Sequence, residues 1–346
     1  MSHVERARLC GVPALRAGMP LAMLMMGILL GLVGCDRTGG SSTPQAERTG
    51  GERIVALSPA VAVMLRDLGV AERIVGKHDY DRVLPEHVRA VGHQEAIDYE
   101  ALLAVRPTHV VIEWGSRPMP PRLIELAEGQ GWDVVNVTLL TLDDIARTVD
   151  DMAIMFGAVE FGGRVPARAP GDSAPEVLRL MPRFTDPADM FEAEMPSARL
   201  ARAWSLRGEG FECLGGVLLL SATDPPGALG PGSFHHQILG RIGGAHAIEV
   251  GSPWMELDVE DIHRLAPSAI VLIAPRGTDD EPAQVGPDEL RRRLGRIARL
   301  DIPAVRSGRL GLIDDPLALL PSTSMARFAD ELAAMLEAWR AGVPRP

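Results

Sequence analysis

The strongest constraint on the fold is a pattern that occurs twice, in residues 102–112 and 262–272. Each copy ends a helix-like run, passes through Pro107 or Pro267, and enters an apolar run with the length of a buried strand. Around both copies, apolar strands alternate with amphipathic helices from residue 52 onward. Strands separated by helices of this length pair in parallel and are covered on both faces. The sequence therefore predicts an α/β fold with two Rossmann-like lobes, each built on a parallel sheet.

Between the two copies, residues 158–212 break this alternation. Six prolines fall within residues 166–196, and proline in a helix interior removes a hydrogen bond and clashes with the preceding turn. One uninterrupted helix is therefore excluded there. We interpret this stretch as a connector between the lobes that carries an irregular insertion. The predicted lobes on either side of it are residues 52–157 and 213–346.

The N-terminus has the features of an exported lipoprotein. Arginines precede an uncharged apolar run from Leu21 to Val33, which is too short to span a bilayer comfortably. The run ends in Leu-Val-Gly-Cys at Cys35, which resembles the bacterial lipobox. We therefore predict a signal peptide over residues 1–34, lipidation of Cys35, and a polar, flexible tether over residues 35–51. The alternative is an uncleaved membrane anchor, which leaves the rest of the chain in the same extracytoplasmic compartment.

Charge and cysteine content narrow the possible partners and the source of stability. The chain has a formal net charge of −11, which argues against nucleic acid as a partner. It contains three cysteines. Cys10 leaves with the predicted signal peptide and Cys35 is predicted to be lipidated, so that Cys213 stands alone. No intramolecular disulfide is then possible in the mature chain, and stability must come from packed cores.

Four segments give the chain a resemblance to a known family, the substrate-binding proteins of bacterial ABC importers for cobalamin, ferric siderophores and haem. The resemblance extends over about residues 52–157 and 213–341. It implies two lobes joined by a helical connector, a ligand cleft between them with small hinge opening, and a monomer that docks on an ABC permease with its ATPase. The segments, in the family's order, are 53–59, 98–107, 230–244 and 302–309.

The predicted ligand site lies at the strand ends. In open parallel sheets, ligands gather at the carboxyl ends of strands, where loops and helix N-termini converge. Ser58 is suited to cap the first helix and Pro59 to begin it, which would present free amides to the cleft. Ser233 and Phe234 occupy the corresponding turn in the second lobe, where neighbouring glycines allow close backbone approach. The alternative for Ser58 is a structural cap without ligand contact.

Aromatic residues make the predicted site more specific, since only 4% of the chain is aromatic. The resemblance implies that Trp114 and Trp254 clasp the corrin ring of a bound cobalamin and that Tyr80 is a third aromatic wall. Large flat side chains bury much area against a flat macrocycle at low entropic cost. The alternative is that both tryptophans fold back onto their own lobes. His93 and Gln94 stand where cobalamin-binding relatives have another tryptophan, and these polar side chains would meet corrin amides or indicate a different ligand.

Histidines open the helix after Ser233. His235 and His236 are adjacent, so at most one of them faces the cleft, and an imidazole can ligate cobalt, haem iron or zinc. We keep His235 as a candidate ligand contact. No dedicated metal site is predicted, because the set of spread histidines and carboxylates that such a site needs is not evident.

Two glutamates share one register in the duplicated helices. Glu100 and Glu260 occupy equivalent places, and the resemblance implies that each pairs with an arginine of the permease. One carboxylate per lobe would let the permease sense the spacing of the lobes. The alternative is that both belong to a solvated helix face.

The sequence thus predicts a lipid-anchored, extracytoplasmic substrate-binding component of an ABC importer, without a covalent cofactor. Cobalamin or a related corrinoid is the leading ligand. A ferric siderophore or haem is the alternative, and a siderophore would require arginines in the cleft, for which Arg117, Arg276 and Arg306 are candidates. A sensor or interaction lipoprotein on the same fold is the alternative outside transport.

Catalysis is not expected. Glu113, Asp258 and His263 could be assembled on paper into acid/base chemistry. However, the sequence contains no nucleophile elbow, phosphate loop or helix-borne metal motif. Asp258 more simply begins a helix, where negative charge suits the helix dipole.

Overall fold

A computed structural model describes five parts of the chain: residues 51–158, 195–207, 210–278, 280 and 285–342. The predicted signal peptide, the lipidation site at Cys35, the tether up to residue 50 and most of the predicted insertion lie outside these residues. Within them, no helix has both the length and the apolar character needed to cross a membrane.

The first lobe is built on a five-stranded sheet whose strands are all parallel. Residues of β1 alternate between two apolar clusters, with Ile54 and Ala56 on one face and Val55 and Leu57 on the other. The sheet is therefore buried on both faces, as an all-parallel sheet requires. Its spatial order is β3-β2-β1-β6-β7, with β1 (Ile54–Leu57), β2 (Ile74–Lys77), β3 (Arg89–Ala90), β6 (His109–Glu113) and β7 (Asp133–Val137).

Helices and one small hairpin complete this lobe. The helices begin where the sequence predicts, at the start of each amphipathic run, and Pro59 and Pro121 occupy first helical positions. The elements are α1 (Pro59–Asp67), the antiparallel hairpin of β4 (Gly92–His93) and β5 (Ala96–Ile97), α2 (Tyr99–Val105), α3 (Pro121–Gln130) and α4 (Leu142–Met155).

The second lobe has a mixed sheet, which corrects the prediction that both sheets are purely parallel. Strands β8, β11 and β12 are parallel, whereas β9 and β10 run antiparallel to their neighbours. The spatial order is β10-β9-β8-β11-β12, with β8 (Val217–Thr223), β9 (Pro226–Leu229), β10 (Trp254–Glu256), β11 (Ala269–Ile273) and β12 (Leu310–Ile313).

The antiparallel strands lie where the sequence predicts loops. The sequence Pro-Gly-Ala-Leu of β9 is a poor strand signal, since proline and glycine are both depleted in strands. The glycine is required by packing instead. A Cβ placed on Gly227 would lie 3.0 Å from Nε1 of Trp254 on the paired strand β10. The close approach of an indole to the backbone thus explains a glycine that sequence reasoning takes for loop composition.

Five helices follow in the second lobe and cover its sheet. The basic stretch of residues 287–299 forms two elements, because α8 ends at Leu294 and a separate 3₁₀ turn covers Ile297–Arg299. The helices are α6 (Phe234–Arg241), α7 (Val259–Leu265), α8 (Pro287–Leu294), α9 (Pro303–Ser307) and α10 (Met325–Arg340). The connector contributes α5 (Pro196–Ala203), which packs against α4.

The duplicated pattern has the same local structure in both lobes. Helices α2 and α7 are each seven residues long and are capped by the side chains of Asp98 and Asp258. They end at Arg106 and Ala266, with φ of 44° and 45°, the only non-glycine residues with positive φ in the described part of the chain. A residue before proline is disfavoured in the helical region, and a left-handed residue is a common way to end a helix. The proline thus places the same helix stop in both lobes.

One apolar cluster extends across both lobes and the connector. It includes one face of each sheet, together with α4, α5, α6 and α10, and Trp204 and Phe211 lie within it. Polar contacts add to it. Arg241 of α6 forms an ion pair with Asp143 of α4 at 2.6 Å, and the hydroxyl of Thr323 donates to the carboxylate of Asp67. Because a wide hinge motion would expose this apolar surface, the structure favours small opening.

Removal of the Trp204 side chain tests whether the two lobes share one core. Trp204 is 2% exposed. Trp204→Ala is expected to lower the free energy of unfolding by about 3–5 kcal/mol, because it leaves a cavity in the shared cluster. Urea titrations followed by circular dichroism and by tryptophan fluorescence should give coincident single transitions for both proteins. Leu206→Ala, at a side chain 61% exposed, is the control and should change stability by less than about 0.5 kcal/mol. Two separate transitions in the wild-type protein would contradict a shared core.

Candidate functional site

The predicted site residues of the first lobe follow three neighbouring strands. Ser58 comes directly after β1, Tyr80 lies three residues after the end of β2, and Trp114 comes directly after β6. These strands are adjacent and parallel in the order β2-β1-β6, so their carboxyl ends meet at one edge of the sheet. Edges of this kind are where open α/β sheets bind ligands. We call it the first carboxyl edge.

Ser58 and Glu113 form a buried contact at this edge. Ser58 is 1% exposed and has the extended backbone of an N-cap residue, but its side chain makes no cap bond. Instead, its hydroxyl donates to Oε2 of Glu113 at 2.9 Å. Pro59 does begin α1, as predicted. Burial raises the pKa of Glu113, and the bond from Ser58 and the charge of His78 oppose that shift.

Three aromatic rings cluster beside this contact. The ring centroid of Tyr80 lies 5.5 Å from that of His78 and 5.5 Å from that of His93. Nδ1 of His78 accepts a hydrogen bond from the backbone N–H of Tyr80, so its proton is on Nε2 and is donated to Oε1 of Gln94 at 2.9 Å. The structure thus brings together three predicted residues, Tyr80, His93 and Gln94, through one that sequence reasoning did not select. Tyr80 is 70% exposed.

The loop that carries Tyr80 is held in place by Lys77, which is the only lysine of the chain. Lys77 is 9% exposed, and its Nζ donates to the carbonyls of Leu84 and Pro85 at 3.1 and 3.0 Å. Oδ1 of Asp81 accepts the N–H groups of the same turn, from Val83 and Leu84. Sequence reasoning did not select Lys77 or Asp81. The available signal was that Lys77, at the end of a buried strand, is the single lysine of a chain whose other strongly basic residues are all arginines.

Trp114 is half-buried and packs partly against its own loop. Its Nε1 donates to the carbonyl of Pro118 at 2.9 Å, and its backbone N–H donates to the side chain of Asn136 at 3.0 Å. The guanidinium of Arg117 lies over the indole, 4.3 Å from the ring centroid. A cation in this place is attracted to the π face. One face of the indole is therefore already covered by this arginine.

The site residues of the second lobe lie at the start of α6 and on β10. Ser233 caps α6, because its hydroxyl accepts the backbone N–H of His236 at 3.2 Å. The backbone approaches closely at Gly230, where a Cβ would lie 2.5 Å from the carbonyl oxygen of Ser252. Trp254, the first residue of β10, is 54% exposed. The second lobe thus presents one large exposed aromatic side chain from a strand rather than from a loop.

His235 is buried in the core, which corrects its placement at the cleft. It is 3% exposed, its Nε2 donates to the carbonyl of Ala318 at 2.7 Å, and its ring meets the edge of Phe328. Burial lowers its pKa to about 4, against the smaller opposing effect of the bond to Ala318. The reason is helical register, because the core stripe of α6 runs through residues 235, 238, 239 and 242. Phe234 is half-buried and also packs against the shared cluster.

Glu100 and Glu260 lie on the surface at equivalent places. Each is the second residue of its helix, α2 or α7, and each follows a capping aspartate by two positions. Both side chains are exposed. Their role in docking stays a prediction. Across the described residues, no group of three or more histidine, cysteine, aspartate or glutamate side chains is placed to hold a metal ion.

Comparison with known proteins relates the chain to others through its fold. No protein-family model and no curated protein matches the sequence. Solved structures do match, among them the periplasmic haem-binding protein HutB of Vibrio cholerae, with a TM-score of 0.56 and 16% identity over 82% of this chain and 98% of that one. The vitamin B12-binding protein BtuF of Vibrio cholerae matches with a TM-score of 0.52 and 14% identity over 84% and 98% of the two chains.

A third match is the haem-binding protein RhuT from Roseiflexus sp. RS-1 in its apo form, with a TM-score of 0.52 and 19% identity over 85% of this chain and 100% of that one. At these identities the likeness establishes the fold. The chain has the two-lobed α/β fold of periplasmic solute-binding proteins, which confirms the predicted fold class.

The buried state of His235 predicts how stability depends on pH. Its pKa of about 4 in the folded protein lies below the 6.5 of an exposed histidine. Between these two pH values the unfolded chain binds a proton at this side chain, whereas the folded chain does not. Stability is therefore lost as pH falls from about 6.5 to about 4, by roughly 3 kcal/mol from this group. Urea unfolding at intervals of pH should show a smaller loss in His235→Gln than in the wild-type protein. His263→Gln, at an exposed histidine of α7, is the matched control. Equal pH slopes in His235→Gln and the wild type would contradict the assignment.

Proposed function

We propose that this chain is the substrate-binding component of an ABC importer and that it captures a flat metal macrocycle, in the first place cobalamin or a related corrinoid. The observation that carries the proposal is the placement of large aromatic side chains at the strand ends of both lobes. Tyr80 is 70% exposed at the first carboxyl edge, and Trp254 is 54% exposed on the second lobe. Large aromatic side chains that are exposed at a ligand-binding edge offer much contact area, and flat rings suit a flat ligand.

The remaining support comes from the rigidity of the first carboxyl edge and from the fold. Lys77 and His78 fix the loop of Tyr80 through hydrogen bonds, so that little order has to be created on binding. The structural neighbours named above carry out solute binding, and their names specify haem or vitamin B12. We infer the same kind of role for this chain, without catalysis.

Haem is the second candidate, and one observation favours it. The phenol of Tyr80 lies beside the imidazole of His93, with ring centroids 5.5 Å apart. Nδ1 of His93 accepts the backbone N–H of Glu95, which leaves Nε2 without a hydrogen bond to any described residue. Tyrosine oxygen and histidine nitrogen are both axial ligands of haem iron. A corrinoid uses the same walls by stacking alone.

The cellular context is part of the proposal. The lipobox-like sequence supports lipidation of Cys35, a membrane anchor and an extracytoplasmic location. Glu100 and Glu260 support docking on a permease, because the duplicated helices present them in the same register. A sensor lipoprotein on this fold would bind the ligand without requiring these glutamates.

Aromatic substitutions test the ligand class. The soluble domain, residues 52–346, is titrated with cyanocobalamin and, separately, with hemin, using calorimetry and the absorption spectrum of each ligand. Trp254→Ala and Tyr80→Ala are each expected to weaken binding by about five- to 150-fold, since they remove stacking area worth about 1–3 kcal/mol. Leu206→Ala is the control. Tyr80→Phe separates the candidates, because it preserves stacking but abolishes iron ligation and the corresponding hemin spectrum. Binding of neither ligand to the wild-type protein would overturn the proposal.

Charge reversal at the docking residues tests the importer role. Glu100→Arg with Glu260→Arg is expected to leave ligand affinity unchanged and to reduce ligand uptake at least tenfold, because each ion pair with the permease becomes a repulsion. Uptake is measured in the native host with the variant replacing the wild-type chain. Glu125→Arg with Glu128→Arg, on the exposed side of α3, is the matched control. Unchanged uptake in the docking variant would favour the sensor function.

A further inference from the structure

We propose that Glu113 selects ligands by the chemistry of their rim, accepting hydrogen-bond donors such as amides and rejecting carboxylates. This inference rests on the proposed function and narrows it to an amide-bearing macrocycle. The place of Glu113 in the sheet is the first observation behind it. Glu113 is the last residue of β6, next to β1 in the middle of the sheet, and lies at the first carboxyl edge between Ser58 and the loop of Trp114.

The two carboxylate oxygens of Glu113 have different surroundings. Oε2 accepts the hydroxyl of Ser58 at 2.9 Å, and because Ser58 is 1% exposed this oxygen is directed toward the protein. Oε1 accepts no hydrogen bond from any described residue. It is also absent from the buried polar atoms without a partner, so solvent reaches it. One oxygen is therefore anchored and the other is open to a ligand.

No cation among the described residues neutralises this carboxyl group. It forms no ion pair with lysine or arginine, and the titratable neighbour that lowers its pKa is the imidazole of His78, which follows β2. Lys77 directs its amine to two carbonyls of its own loop, and Arg117 lies over Trp114. Ser58, directly after β1, and Asn136 on β7 are neutral, and Asn136 holds the Trp114 loop through two hydrogen bonds.

A structural role accounts poorly for an acid in this position. The bond from Ser58 to Glu113 takes the hydroxyl away from α1, which has no side-chain cap. It also keeps an ionisable group in surroundings that disfavour its charge, since burial raises its pKa. A ligand contact at the open oxygen would explain why Glu113 is present although it weakens the start of α1 and is hard to ionise.

The two candidate ligands carry rim groups of opposite hydrogen-bonding character toward a carboxylate. Corrinoids carry amide side chains at the rim, whose N–H groups donate best to an ionised carboxylate. Haem carries two propionates, which an ionised carboxylate repels and a protonated one can bind. As pH rises through the raised pKa of Glu113, affinity for the corrinoid should therefore rise and affinity for haem should fall.

The experiment measures the dissociation constants of cyanocobalamin and hemin at intervals from pH 5.5 to 8.5. Wild-type protein, Glu113→Gln and Glu128→Gln are compared, the last being a matched loss of one exposed carboxylate on α3. Glutamine keeps the acceptor for Ser58 but cannot ionise. The titrations are extended down to pH 4.5, the ordinary value for a glutamate, because the pKa of Glu113 is raised from there. We expect opposite pH slopes for the two ligands in the wild type and in Glu128→Gln, flat profiles in Glu113→Gln, and hemin binding about tenfold tighter in Glu113→Gln at pH 8.

A second variant guards against a misfolded Glu113→Gln. Ser58→Ala removes the donor that favours the ionised form, so the hemin profile should keep its shape and move to higher pH. If ligands bind but Glu113→Gln has the same profiles as the wild type, this proposal alone is overturned. If neither ligand binds to the wild-type protein at any pH, the proposed function fails and this proposal fails with it.

Discussion

The apolar cluster shared by the two lobes is the constraint on which the rest of the structure depends. Faces of both sheets, α5 of the connector and α10 contribute to it, so the two lobes share a core, although each lobe also has a cluster of its own on the other face of its sheet. Separating them would expose apolar surface at a cost that ligand binding would have to offset. A cleft between such lobes must be largely formed before the ligand arrives. Recognition then depends on what the two sheet edges already present.

The first carboxyl edge is organised accordingly. Its loop is held by a buried lysine with two carbonyl acceptors and by a histidine whose two ring nitrogens are both engaged. Such networks leave few alternative conformations, because each polar group would lose its partner if the loop moved. One oxygen of Glu113 has an open hydrogen-bonding position at this edge, while the other is held by Ser58. In our proposal, this open acceptor contacts the rim of the ligand.

Sequence reasoning located the elements better than the orientation of side chains. Strands buried on both faces and helices with N-terminal prolines have strong local signals, and these elements were placed within a few residues. The antiparallel pairing of β9 with β10 was missed because the glycine of β9 is required by the packing of Trp254, which is distant in sequence. His235 was misplaced because adjacency of histidines drew attention away from the core stripe of its helix. The partner of Ser58 was not predictable, since it depends on the pairing of β1 with β6 across more than fifty residues.

The two lobes are alike in one pair of helices and differ at the ends of their strands. Helices α2 and α7 have kept the same length, caps and left-handed stop, and they present their glutamates alike. The strand ends have diverged. In the first lobe α1 follows β1 directly, whereas in the second lobe a hairpin strand intervenes before α6 and provides the strand with which β10 and Trp254 pair. A permease must meet both lobes in a fixed relation, which favours symmetry, but a ligand rim is not symmetric. The proposed docking residues therefore lie in the duplicated elements, and the proposed ligand contacts lie where the duplication has been lost.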